Sequence, residues 1–170
     1  MEVYTLKLYS LNYKDVKTYL VATAFVIGNT LLPQLCHFIP NGGLIFLPIY
    51  FFTLIAAYKY GWKAGLITAI LSPLVNSALF GMPVLSILPA VLLKSVLLAC
   101  FAGLAARHFS KISIPILLGV VLAYQLTGTL GEWLLNGNFY FAIRDFRMAI
   151  PGMLLQVFGG YLFIKRIAKL

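Results

Sequence analysis

The stretch Val84–Ala106 reads VLSILPAVLLKSVLLACFAGLAA, and Lys94 is its single charged residue. A helix needs about 20 mostly apolar residues to cross the hydrocarbon core of a bilayer. The stretch meets that length, and Arg107 and Lys111 follow it directly. This pattern predicts a membrane-spanning helix that carries one buried cation and ends at a basic connection.

Five other apolar runs resemble this one. They predict an all-α integral membrane protein, with a single transmembrane domain over residues 1–170 and helices near 18–36, 43–58, 64–80, 84–106, 112–135 and 148–164. The runs are continuous rather than alternating, which excludes the strands of a membrane barrel. The composition agrees, because 62% of the residues are hydrophobic and 10% are charged, whereas a soluble domain has about 25% charged residues.

Basic residues gather in alternate connections. Short cytoplasmic loops of membrane proteins collect Lys and Arg, so this alternation predicts six crossings with both termini in the cytoplasm. The same interpretation accounts for the net charge of +9 without a nucleic-acid partner. The basic residues of the predicted cytoplasmic side are Lys7, Lys14, Lys17, Lys59, Lys63, Arg107, Lys111, Lys165, Arg166 and Lys169.

Lys94 is the most informative polar residue of the predicted spans. It lies about ten residues, on the order of 15 Å, from the outer end of its helix. Ionisable residues at such depth are costly and often functional. Glu132, near the outer end of the fifth predicted helix, is the natural partner. The pair either locks two helices together or lines a substrate cavity that is open to the outside.

Other polar residues crowd into the same outer half of the predicted bundle. A mostly apolar pocket with a few convergent polar groups is the usual form of a small-molecule site. The candidate substrate-binding residues are Asn29, Gln34, His37, Asn41, Asn76, Lys94, Gln125, Glu132, Trp133, Arg144, Arg147 and Gln156.

Two predicted outer loops complete this site. The loop after Cys36 is rich in turn residues and could cover the pocket mouth. Cys36 and His37 could ligate a soft metal, but a packed thiol and a solvated histidine are the favoured interpretation, and no metal site is predicted. The last loop combines aromatic residues with Arg144 and Arg147, which serve either as interfacial anchors or as partners of an anionic, ring-shaped ligand.

No catalytic motif accompanies these residues. The chain has no HExxH, GxSxG, Walker A or CxxC sequence, and its two histidines, His37 and His108, are predicted at opposite membrane faces. A serine–histidine intramembrane hydrolase is therefore poorly supported, and no cofactor is predicted.

Over essentially its whole length, the chain resembles the substrate-binding S-component of energy-coupling factor (ECF) transporters. The resemblance combines the six-helix design with four local motifs. These are Asn41-Gly42-Gly43, Phe46-Leu47-Pro48, the turn Tyr60-Gly61-Trp62-Lys63-Ala64-Gly65, and Leu71-Ser72-Pro73.

This resemblance implies a binding subunit, not an enzyme, that lies in the prokaryotic cytoplasmic membrane and captures a vitamin or related micronutrient from outside. It implies two kinds of partner, a transmembrane T-component and two cytoplasmic ATPases that hydrolyse ATP. Small residues of the first helix dock the T-component in that family, and Ala22, Ala24 and Gly28 stand at the matching positions. Lys94, Arg144 and Arg147 suggest an anionic ligand, while Cys36-His37 leaves a cobalt corrinoid open.

Two other classes of protein remain open. A structural six-helix membrane protein of the MreD type would need no outer cavity, and its Lys94–Glu132 pair would only join helices. A stand-alone small carrier or channel is the other alternative. A channel would carry polar residues through the full membrane depth, and the predicted inner half has few of them.

Overall fold

The computed structural model describes residues 4–5 and 11–168, so Lys7 and Lys169 lie outside the described residues. The described chain is built almost entirely of helices. They are α1 (Val16–Cys36), α2 (Gly42–Phe46), α3 (Pro48–Tyr60), α4 (Trp62–Phe80), α5 (Leu88–Phe109), α6 (Ile114–Asn136), α7 (Phe139–Met148), α8 (Ile150–Leu154), a π-helical turn (Leu155–Gly159) and α9 (Gly160–Ala168). Two short strands, β1 (Tyr4–Thr5) and β2 (Lys111–Ile112), pair antiparallel.

Five segments of this bundle are long and apolar enough to cross a membrane. They are α1, α2 with α3, α4, α5 and α6. A sixth is obtained when α7 and residues 150–167, which meet at a bend of 51°, are taken as one broken span. The prediction of an all-helical fold with multiple apolar spans is confirmed at this level.

The basic connections lie together at one end of the bundle, hereafter the basic end. There the Lys63 ammonium donates to the Asn12 side chain. The Tyr58 hydroxyl donates to the backbone oxygen of Lys111 at 2.7 Å, and strand β1 pairs with β2 beside it. The chain just before α1 bonds to the end of α3 (Leu11 to Tyr60), and the end of α5 packs on the start of α4 (Gly103 on Trp62). The long helices therefore alternate in direction, and the residues that follow α1, α4 and α6 lie at the opposite end, hereafter the far end.

The second span is broken rather than continuous. Residues 43–58 were predicted as one helix, but α2 ends at Phe46 and α3 begins at Pro48. Leu47 separates them in the left-handed conformation, with φ 49° and ψ 44°. The residue before a proline is sterically disfavoured in the right-handed helical region, so Pro48 explains where the break falls.

The segment before the last span also differs from its prediction. Residues 136–147, predicted as an outer loop, contain helix α7. Its N-terminus is capped by Asn138, whose side chain accepts a hydrogen bond from the Phe141 amide at 3.1 Å; asparagine is a preferred residue at that position. The span that follows begins at Ile150 instead of Met148 and changes to π-helical geometry at Leu155.

A buried amide network joins α1, α3 and α4. The Asn29 Nδ2 atom donates to the Thr53 and Ser72 hydroxyls, each at 3.0 Å. Its Oδ1 accepts from the Phe52 amide at 3.0 Å. Asn76 then donates to the Asn29 backbone oxygen, also at 3.0 Å. Asn29 therefore satisfies polar groups on two neighbouring helices at once.

Asn29→Ala should lower the stability of the fold. The substitution leaves buried hydroxyl and amide groups unpaired, and we expect a net cost of about 1–3 kcal/mol, which corresponds to a melting-temperature loss of roughly 2–12 °C for a chain of this size. The matched control is Thr30→Ala, because the Thr30 hydroxyl bonds only the Val26 oxygen within its own helix. Thermal unfolding in detergent, followed by tryptophan fluorescence, measures both variants; equal losses would contradict the proposed network.

Candidate functional site

A small cavity lies at the far end, where the break between α2 and α3 meets α5, α6 and α7. Its volume is about 60 Å³, enough for one or two water molecules. Leu47 and Ala149, the residues at the two helix breaks, both contribute to its wall. The lining residues are Leu44, Leu47, Tyr50, Ile87, Ala90, Val91, Lys94, Gln125, Glu132, Asp145 and Ala149.

Lys94 and Glu132 form a buried ion pair in this cavity. Lys94 is 8% exposed and Glu132 is 4% exposed, and the Lys94 ammonium donates directly to the Glu132 carboxylate. The contact between these two residues, predicted from the sequence, is confirmed. Since an ammonium group is costly to bury alone, each member of the pair makes the burial of the other tolerable.

Asp145 adds a second carboxyl group beside this pair. It lines the same cavity, and Glu132 lies within hydrogen-bonding reach of its side chain. The buried Oδ1 atom of Asp145 has no hydrogen-bond partner among the described residues. The cluster thus contains two carboxyl groups and one ammonium group.

The sequence analysis missed Asp145. Its position in a predicted loop, between two arginines, gave no reason to place it beside the buried ion pair. The signal that could have identified Asp145 was the scarcity of acidic residues, because the chain has only four of them. An isolated aspartate among aromatic and apolar residues is consistent with a helix that packs one face inward.

Gln125 is the most unusual neutral residue of the cavity. It is 1% exposed. Its side chain lies near the Tyr124 hydroxyl, but neither its Oε1 nor its Nε2 atom forms a well-oriented hydrogen bond within the described part of the chain. The buried hydroxyls of Ser95 and Thr129, on the same two helices as the ion pair, are also unpartnered there. Buried polar groups are normally hydrogen-bonded, and of these three residues only Gln125 lines the cavity.

Aromatic residues form the inner wall of the site. Tyr50 lines the cavity, and its ring packs on that of Tyr124 at 5.8 Å between centroids. The Tyr124 hydroxyl donates to the Gln156 Oε1 atom at 2.9 Å. Gln156 does not line the cavity, but it holds the tyrosine that supports Tyr50.

The predicted site residues of the first and third long helices lie elsewhere. Asn29 and Asn76 belong to the amide network described above. Gln34 has a buried Nε2 atom without a partner among the described residues, and it does not line the cavity. His37 and Asn41 are exposed in the loop between α1 and α2. The structure therefore brings together only Lys94, Gln125 and Glu132 from the predicted set.

The remaining predicted residues at the far end face away from the cavity. Arg144 and Arg147 are exposed and line a separate external groove of about 310 Å³. Arg144 lies over the Phe141 ring at 5.4 Å. Trp133 is 40% exposed and packs edge-on against Phe139 at 5.1 Å. These contacts support interfacial positions for the side chains.

The three small residues predicted to dock a partner fall on different faces of α1. Ala22 is buried inside the bundle. Gly28 faces Phe52, and a Cβ atom there would lie 2.6 Å from that ring. Only Ala24 lies on the exposed face. The small residues at 22 and 28 thus serve packing within the chain.

Neither cysteine takes part in a disulfide; Cys36 and Cys100 are both free and half-buried. In the described ranges, 4–5 and 11–168, no group of three His, Cys, Asp or Glu residues could hold a metal ion. Cys36 and His37 therefore have no third ligand of these types among those residues.

Comparison with protein-family models, with curated proteins and with solved structures finds no match to this chain. The function is therefore argued from the residues of the site and from the arrangement of the bundle around them.

Gly128→Ala should disturb the ion pair. A Cβ atom at Gly128 would lie 2.6 Å from the Lys94 Cγ atom, so the lysine must move, and overpacking of this kind costs about 1–3 kcal/mol. Gly119→Ala is the matched control on the same helix, because a Cβ atom there meets nothing within 4 Å. Melting temperatures of the two variants in detergent measure the difference; a Gly128→Ala variant as stable as Gly119→Ala would contradict this packing.

Lys94→Met and Glu132→Gln should differ in stability. Removing one member of a buried pair costs about 3–5 kcal/mol, because the other charge stays buried. Lys94→Met leaves two carboxyl groups facing each other, and we expect a loss within that range. Glu132→Gln leaves Asp145 to neutralise Lys94, and we expect less than half of that loss. Chemical or thermal unfolding of both variants tests this order, and equal losses would show that Asp145 does not belong to the cluster.

Proposed function

We propose that the chain is the membrane-embedded substrate-binding subunit of an ECF-type importer. It captures a vitamin or related micronutrient at the far end, which faces the outside of a prokaryotic cell. The cavity around Lys94, Glu132, Asp145 and Gln125 is the observation that carries this proposal. It combines apolar walls with a few convergent polar groups, as small-molecule sites do.

Unpartnered polar groups favour ligand binding over a purely structural role. A pair that only joins helices needs its own two side chains and nothing more. Here Gln125 and the Asp145 Oδ1 atom lie at the cavity beside the pair without a well-oriented hydrogen bond among the described residues. Leaving such groups unsatisfied costs about 1–3 kcal/mol each, and a bound solute would recover part of that cost.

The two helix breaks supply a way to open the site. At about 60 Å³ the cavity is smaller than the roughly 300–1,000 Å³ of typical ligand sites. Short α2 and amphipathic α7 cover it, and each is joined to its neighbour by a break, at Leu47 and Ala149. In our proposal these two helices move outward to admit the solute, and the present structure is the closed form.

The exposed face of α1 is the proposed docking surface for the T-component. Leu20, Ala24, Ile27, Leu31 and Leu35 follow one another at helical spacing, and all five are exposed. An apolar face of this kind can contact lipid or another apolar helix. Helices pack in lipid where small residues allow close approach, and Ala24 supplies such a residue on this face. ATP hydrolysis belongs to the two partner ATPases.

A structural six-helix protein of the MreD type is the second candidate. The observation that favours it is that Lys94 and Glu132 already satisfy each other in the closed cavity. In that case no solute binds at the far end, and the chain associates with other membrane proteins through its exposed faces.

A binding screen with purified protein distinguishes the two candidates. We expect one vitamin or precursor from a panel that includes riboflavin, thiamine and biotin to raise the melting temperature, and Gln125→Leu to abolish that increase. Thr127→Ala is the matched control, because its exposed hydroxyl bonds only the backbone of its own helix. We also expect a T-component and ATPases to copurify from the native membrane. Absence of both results would overturn the importer proposal and favour the structural candidate.

A further inference from the structure

Resting on the proposed binding function, we infer that the cavity recognises a positively charged group of the ammonium or amidinium class and excludes anions. The inference concerns the charge of the ligand, whereas the proposed function requires only that some solute binds. The argument rests on the charges that line the cavity and on the polar atoms that lack partners.

The charged groups of the cavity contain one more carboxyl than ammonium. Lys94 contributes one positive charge, and Glu132 and Asp145 contribute two carboxyl groups. The ion pair with Glu132 uses the Lys94 charge. With every group ionised the cavity therefore carries a net charge of about −1, which attracts a cation and repels an anion.

Arg144 lies close enough to Asp145 to act on its charge, but neither arginine of α7 lines the cavity itself. Arg144 and Arg147 are exposed and line the external groove instead. The sequence suggested an anionic ligand because Lys94, Arg144 and Arg147 are all cationic. In the structure the three cations have different surroundings. Lys94 is neutralised by Glu132, whereas Arg144 and Arg147 lie on the surface of the molecule.

The two carboxyl groups can be neighbours in the closed form if they share a proton. A hydrogen bond between Asp145 and Glu132 needs one proton, because two carboxylates have no donor between them. Carboxylates that share a site keep such a proton for this reason. When a cation enters, it takes over the neutralising role and the proton leaves to the solvent, so the total charge of the cluster stays constant.

Unpartnered acceptors provide independent support. The Asp145 Oδ1 and Gln125 Oε1 atoms are buried without hydrogen-bond partners among the described residues, and both residues line the cavity. These atoms can accept hydrogen bonds from an N–H group of a ligand. Tyr50 adds an aromatic wall, and aromatic rings attract cations through their faces.

Small probes of equal size and different charge test this inference on the full-length protein. Methylammonium is the cation, acetate the anion and acetamide the neutral probe, all at the same ionic strength. We expect methylammonium alone to raise the melting temperature, on the order of 3 °C at ten times its dissociation constant. Asp145→Asn should abolish this increase. Arg147→Gln should leave it unchanged, because Arg147 lies outside the cavity.

The pH dependence provides a second readout. The charged groups that face Asp145 are Lys94 on α5, Glu132 on α6 and Arg144 on α7. Because the cation replaces the shared proton, methylammonium should stabilise the protein more at alkaline than at acidic pH.

Several results would overturn the inference. Stabilisation by acetate, no stabilisation by any probe, or an unchanged response in Asp145→Asn would each do so. If Asp145→Asn does not fold, Gln125→Leu takes its place and should reduce the methylammonium effect. The proposed function has a separate outcome, because a neutral or anionic vitamin that binds would support the importer and reject the preference for cations.

Discussion

The buried charge of Lys94 is the constraint on which the far end of the molecule depends. A buried ammonium group needs a carboxylate partner, and α6 places Glu132 next to it. The lysine side chain also needs room, and Gly128 provides it by leaving its position without a Cβ atom. The pair then leaves Asp145 with a carboxyl group that Lys94 cannot fully neutralise. Each of these features follows from placing one cation inside an apolar helix.

The helix breaks are the second organising feature, because they let short segments close over that charge. The break at Leu47 separates α2 from α3, and α2 packs against α8 at the far end. Gly152 permits this approach, since a Cβ atom there would meet the Phe46 backbone at 2.6 Å. Broken helices line the substrate sites of many transporters for a similar reason: their backbone is irregular only where it faces a cavity.

Hydropathy and charge were sufficient to predict an all-helical chain with several apolar spans, and the Lys94–Glu132 contact. Both depend on strong, local signals: long apolar runs, and a lone lysine within reach of a lone glutamate. The position of Asp145 depends instead on the amphipathic packing of α7, a short segment whose sequence resembles an interfacial loop. The roles of Asn29 and Asn76 were also hidden, because a buried amide has the same sequence signal whether it bonds a neighbouring helix or a ligand. Tertiary packing decides between these roles.

The amide network around Asn29 divides the bundle mechanically. It fastens α1, α3 and α4 through side chains that reach across helix boundaries, whereas the cavity is closed by α2 and α7, which attach through helix breaks. The hydrogen bonds thus hold α1, α3 and α4 together as one unit, whereas α2 and α7 are short helices that can move relative to that unit. Motion at the far end can then leave the exposed face of α1 undistorted. A protein with this division can change the shape of one surface while presenting a constant one to its neighbours.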